Sequence, residues 1–246
     1  MCKCLMTCMP HFLNSCSGIM MVSRIESIIP RFPIPALWSF GVCKSWFDII
    51  LNPEGWLSAA HMDAILALIV IRCWLKNHGK SHHLCRWSIL DTTCWGVLTQ
   101  ADPDILYEHI LPYVQGARPA VGANRWEDVD KVYGLGLVRE AHWLCYEISI
   151  KFQRITVYDS LSSSDHWPSL TAELKCFAEN IPRYKHAPQQ LNEGDCGVLD
   201  LKYMECLLNG SSVNGVSPKR TCEYRRNFCA ELFQYGMNML AHGFGE

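Results

Sequence analysis

Residues 190–197 read Gln-Leu-Asn-Glu-Gly-Asp-Cys-Gly, so Cys196 stands directly before an apolar-periodic run, Gly197 to Met204, whose spacing predicts a helix. A cysteine at a helix N-terminus meets the positive end of the macrodipole, which favours loss of its proton. The thiolate is the form that attacks a carbonyl carbon. Six residues upstream, Gln190 carries a side-chain amide N–H of the kind that stabilises a developing oxyanion. One short segment thus holds a nucleophile and an oxyanion donor.

A thiolate nucleophile needs a base, and the base needs a group to orient it. Two β-rich runs, Trp143-Leu144-Cys145-Tyr146-Glu147-Ile148 and Arg154-Ile155-Thr156-Val157-Tyr158, are separated by a short polar link and fit an antiparallel hairpin. His142 opens the first run and Asp159 closes the second. Pairing the runs brings both residues to one end of adjacent strands, where side chains can face a cleft. His142 is then the candidate base, and Asp159 the acceptor for its other ring N–H.

Three motifs together resemble the Ulp1-type ubiquitin-like-protein-specific cysteine proteases. They are His142-Trp143; Tyr158-Asp159-Ser160, with the Asp 17 positions after the His; and Gln190-x-Asn192-x-x-Asp195-Cys196-Gly197, with the Gln six before the Cys. Trp56-Leu57 with His61-Met62-Asp63-Ala64 resembles the opening motif of the plant, often transposon-associated, branch. The resemblance spans roughly residues 50–240. It implies an α+β, papain-like fold with a permuted His-Asp-Cys triad order and a central mixed or antiparallel sheet flanked by helices. It also implies Cys196 as nucleophile, His142 as base, Asp159 as orienter and Gln190 as oxyanion donor. Trp143 would lid a substrate tunnel, with Trp56 on the opposite wall, because two flat indoles can clamp a Gly-Gly tail that has no side chains. Asn192 and Asp195 join them as substrate-binding candidates, a role in orienting the cysteine loop being favoured for Asp195.

The implied reaction is acyl transfer to water: cleavage after the C-terminal Gly-Gly of a SUMO-type modifier through a thioester, without a cofactor. The partner is then a ubiquitin-like modifier or its conjugates, bound by a monomer. Two other readings share these residues: a catalytically degenerate, transposon-derived binding domain, and an acyltransferase using the same triad. Ala59 and Ala60 stand where the family commonly has an acidic residue, and Gly134 to Arg139 is unlike the usual neighbourhood of the histidine.

With 246 residues and 49 % hydrophobic composition, the chain can bury a sizeable core. The expected organisation is an irregular leader over 1–45 and a catalytic domain over 46–246. A net charge of −2 argues against a general nucleic-acid-binding surface. Fourteen cysteines are too diluted in aliphatic sequence for a disulfide scaffold. Cys73, Cys145, Cys176 and Cys206 sit in apolar segments, as buried thiols do, and the chain reads as intracellular; nuclear residence is what such proteases usually show. No run reaches the ~18 apolar residues of a membrane span. No metal site is expected: Cys2, Cys4, Cys8 and Cys16 lack paired C-x2-C spacing, and His82-His83 near Cys85 has no second cluster at ligand spacing. Asn209-Gly210-Ser211 reads as a turn.

The elements follow from periodicity. Residues 57–76 read as a core helix, 84–111 are ambiguous with a short helix over Asp104–Leu111, and 129–138 read as strand or loop. Residues 168–180 and 221–240 read as helices, the latter with Phe228, Leu232, Tyr235 and Met239 on one face and Arg225-Arg226 on a solvated one.

Overall fold

The structure is a computed structural model that describes residues 44–77, 86–99, 103–161 and 183–241. One mixed sheet runs in chain order: β1 (Trp87–Ile89), β2 (Lys131–Val138), β3 (His142–Ser149), β4 (Arg154–Asp159) and β5 (Arg183–His186). The β2-β3-β4 centre is antiparallel, and the two edge strands lie parallel to their neighbours. Six helices accompany it among the described residues: α1 (Lys44–Leu51), α2 (Ala59–Asn77), α3 (Thr92–Leu98), α4 (Pro103–Val114), α5 (Cys196–Leu208) and α6 (Thr221–Ala241). This is the α+β architecture with a flanked mixed sheet that the sequence implies.

β3 is buried at all eight positions because both sheet faces are covered. Successive strand residues point to opposite faces. Trp143 and Cys145 join the core made with α2, α5 and α6, while Leu144, Tyr146 and Ile148 join a second core with Trp95, Leu98 and Tyr113 from α3 and α4. β2 resolves as strand despite its glycines, which seat aromatic rings. A Cβ on Gly134 would overlap the Tyr146 ring, and one on Gly136 the Trp95 ring.

Several expectations need correction. α1 begins at Lys44, inside the end of the expected leader. Residues 84–111 hold β1, α3 and most of α4, which runs three residues past Leu111. β5 lies in what reads as a plain connection. Arg225 is fully buried, not solvated, whereas Arg226 is exposed. The expected helix over 168–180 lies outside the described residues, as do the leader cysteines and the His82-His83-Cys85 group.

Asn209 caps α5, and Gly210 (φ 69°) turns the chain there, as a left-handed glycine after a helix does. The seven described cysteines are free thiols. No described helix is long and apolar enough to cross a membrane, and no cluster of metal-ligating side chains occurs among the described residues.

Candidate active site

The β3–β4 hairpin pairs Cys145 with Tyr158, so His142 and Asp159 fall at the same end of the two strands. There His142 Nε2 and Asp159 Oδ1 lie 2.7 Å apart, both side chains buried. Asp159 Oδ1 also accepts the Leu161 backbone N–H at 2.7 Å, which fixes the carboxylate. With Nε2 held by the carboxylate, Nδ1 is the ring nitrogen through which His142 can act as a base.

Cys196 is the first residue of α5, preceded by a 3-10 turn over Glu193–Asp195. The backbone N–H groups of Trp143, Gly197 and Cys196 reach its thiol. The Trp143 contact brings the residue after His142 onto the sulfur, so hairpin and helix meet at this point. The thiol is 1 % exposed. Burial, then the neighbouring charge of Asp200, pushes its pKa up to about 12, while those three N–H groups pull it down. The expected helix-terminus effect is present and is outweighed by desolvation.

Trp143 is buried, and its indole Nε1 donates to the Leu57 carbonyl at 2.8 Å. It lies so close to α5 that a Cβ on Gly197 would sit 3.2 Å from its Cδ1 and 3.0 Å from Met62 Sδ. Trp56, next to Leu57, is 38 % exposed. The two expected tunnel tryptophans are thus on either side of one backbone link, one inside and one at the surface.

Gln190 is half-buried on the segment leading to Cys196. Its Oε1 accepts the Ser160 hydroxyl at 3.0 Å, and its backbone N–H donates to Ser160 O at 2.9 Å. Ser160, adjacent to Asp159, thereby engages the oxygen end of the amide, so that Nε2 is its remaining donor end. Asn192 is exposed, and its Nδ2 donates to Asp195 Oδ2 at 3.1 Å. Asp195 is 1 % exposed and also accepts the Thr221 hydroxyl at 3.2 Å. That burial supports the loop-orienting role for Asp195 over substrate binding.

Sequence reasoning missed Asp200, four residues after Cys196 and so one turn along α5 on the same face. It is 0 % exposed, and neither carboxylate oxygen has a hydrogen-bond partner among the described residues. Burial, and then the charge of Asp159, raises its pKa well above the ordinary carboxylate range. An Asp within an apolar helical run was the available signal.

Comparison with known proteins bears on this geometry. The family model described as the Ulp1 protease family, C-terminal catalytic domain, matches residues 56–233. No curated protein matches the chain in sequence. Among solved structures, the Ulp1 C-terminal protease domain in complex with Smt3, the yeast ortholog of SUMO, superimposes with a TM-score of 0.58 at 16 % identity, covering 87 % of this chain and 96 % of that one. The Ulp1-like SUMO protease catalytic domain of Chaetomium thermophilum gives 0.56 at 19 % identity, covering 85 % and 86 %. The Xanthomonas campestris effector XopD bound to ubiquitin gives 0.52 at 17 % identity, covering 73 % and 92 %. The structural likenesses establish a shared fold, and the family match spans Trp56, the hairpin, the cysteine loop and most of α6: the chain belongs to the Ulp1 protease family of cysteine proteases, as its catalytic domain.

Proposed function

We propose that this chain cleaves the bond after the C-terminal Gly-Gly of a SUMO-type ubiquitin-like modifier, from a peptide or from a lysine side chain. The observation that carries the reading is the buried His142–Asp159 pair at 2.7 Å, joined through Trp143 to the thiol of Cys196. The likeness to a Ulp1 protease domain in complex with Smt3 and to an effector protein bound to ubiquitin supports the class of modifier.

In the proposed reaction, His142 Nδ1 takes the Cys196 proton as sulfur attacks the terminal glycine carbonyl. The negative oxygen of the tetrahedral intermediate accepts N–H groups from Gln190 Nε2 and the Cys196 backbone, one such donor being worth on the order of 3 kcal/mol of barrier. Collapse breaks the C–N bond, and the imidazolium returns its proton to the leaving amine. Water, deprotonated by His142, then hydrolyses the thioester and frees Cys196. Asp159 holds the ring and stabilises its cationic form.

The test is covalent capture. Purified chain and a Cys196→Ala variant are offered SUMO, ubiquitin and related modifiers bearing a C-terminal electrophile, with adducts weighed by mass spectrometry. A one-to-one adduct lost in the variant supports the proposal. Folded protein that captures none of them refutes it and favours a binding-only domain.

A further inference from the structure

Arg225 lies on α6, and its side chain is fully enclosed. Burying a guanidinium is costly unless its fork of N–H groups finds acceptors. Here it donates Nη1 to the Ile50 carbonyl at 3.2 Å and Nη2 to the carbonyls of Gly55 at 2.9 Å and Gly194 at 2.6 Å. Asp195 Oδ1 stands 3.9 Å from Nη2. One turn earlier on the same helix, Thr221 donates to the other oxygen of Asp195.

The targets of these bonds are what give the cluster meaning. Ile50 and Gly55 bracket the turn leading into Trp56 and Leu57, and Leu57 O is the acceptor for Trp143 Nε1. Gly194 and Asp195 are the two residues before Cys196. The two segments touch: a Cβ on Gly194 would lie 2.8 Å from the Glu54 carbonyl. Anchoring α6 alone would need one acceptor anywhere along the helix. This arrangement instead ties the tryptophan wall to the cysteine loop through one rigid, planar group.

We propose that Arg225, assisted by Thr221, is a positioning residue that holds Cys196 in register with the Trp56–Trp143 wall. The inference rests on Cys196 being the nucleophile. A misplacement of about 1 Å costs on the order of a hundredfold in a reaction governed by orientation. Lysine keeps the charge but lacks the planar fork that reaches separated carbonyls. The chemistry therefore requires arginine at this position, far in sequence from every reacting group.

The experiment compares Arg225→Lys, Arg225→Met and Thr221→Val with Arg226→Met, the exposed neighbour, in the full chain after each is shown to melt cooperatively. One readout needs no modifier: the slow rate of Cys196 alkylation by iodoacetamide at one mildly alkaline pH, followed on the Cys196 peptide. The other is kcat and KM on SUMO carrying a C-terminal aminomethylcoumarin. Arg225→Lys is expected to lose on the order of thirtyfold in kcat with KM changed less than about threefold. Arg225→Met should also slow that alkylation by about threefold, because a nearby cation is removed and the N–H groups around sulfur shift. Thr221→Val should lose about threefold to tenfold in kcat, and Arg226→Met should match the parent. Folded Arg225 variants with parental kcat and a parental alkylation rate overturn the proposal. If neither Arg225 variant folds, parental values for Thr221→Val overturn it. A parent chain that cleaves no modifier counts against the proposed function, and the alkylation rates then decide this inference by themselves.

Discussion

Asp200 offers the sharpest quantitative test of the site's electrostatics. Its carboxyl is enclosed beneath the site, facing Asp159 from β4, Cys145 from β3, and Cys196 and Tyr203 along its own helix, with no cation among these neighbours. Burial raises its folded-state pKa well above the ordinary value of 3.8. The native chain therefore keeps the proton at pH values where the unfolded chain has released it. With more protons bound in the folded state, stability is fully present below the unfolded pKa and falls as pH rises, by about 1.4 kcal/mol per pH unit, until the folded pKa is passed. An amide in place of this carboxyl would not titrate. The stability advantage of Asp200→Asn over the parent should thus grow as pH rises above about 4.5, at that slope until the folded pKa is passed. Asp200→Val removes the unpartnered oxygens as well and should add a pH-independent gain of about 1–3 kcal/mol. Urea unfolding of the three proteins at four pH values measures both effects, since every other group is common and cancels. Stability differences that do not change with pH would refute the assignment of a buried, protonated acid.

Four further outcomes follow from the site. Asp159→Asn should lower kcat by about 10³–10⁴-fold, because the amide cannot hold the His142 tautomer or its cation; single-turnover cleavage measures this, and a loss under tenfold would exclude the orienting role. Gln190→Ala should cost about 10²–10³-fold in kcat with little change in KM. Ser160→Ala removes only the hydroxyl that Gln190 Oε1 accepts and should cost a smaller factor of the same kind, about fivefold to tenfold, so an equal loss in both variants would show that Ser160 does more than orient the amide. Gly197→Ala should destabilise by about 1 kcal/mol despite alanine's better helix propensity, because the new methyl must displace Met62 or Trp143; a Tm at or above the parent's would mean that the Trp143 contact yields freely.

Much of the candidate site's geometry was legible in the sequence because it depends on local patterns. The hairpin follows from two β-rich runs across a short link, and a hairpin fixes its own register, which is why His142 and Asp159 could be paired before any coordinates. Cys196 at a helix start follows from the apolar spacing after it. What escaped depends on partners distant in the chain. β1 and β5 are three and four residues long and pair in parallel with strands reached by long connections, so no local periodicity marks them. Arg225 looks like a solvated arginine beside Arg226, and only the arrival of carbonyls from residues 50, 55 and 194 makes its burial tolerable. Asp200 escaped for the opposite reason: nothing compensates it, and a sequence reading expects a buried charge to have a partner.

The acidity of Cys196 shows why magnitudes must decide between correct local arguments. A helix N-terminus stabilises an adjacent anion by at most about 2 kcal/mol in a partly buried setting. Raising the thiol from 9.0 to about 12 corresponds to about 4 kcal/mol against the thiolate in the closed site. The resting cysteine is therefore a protonated thiol under a buried indole, despite the three backbone N–H groups around it. In the proposed reaction its activation is coupled to events that change this balance: transfer of the proton to a His142 already held by Asp159, and a tail whose carbonyl oxygen takes up the developing charge as sulfur attacks. A thiol kept neutral until then reacts slowly with small electrophiles and oxidants, which act on the thiolate. Burial thus exchanges intrinsic nucleophilicity for selectivity, and the contacts of Thr221 and Arg225 that hold the closed geometry become part of the chemistry although neither side chain touches a reacting atom.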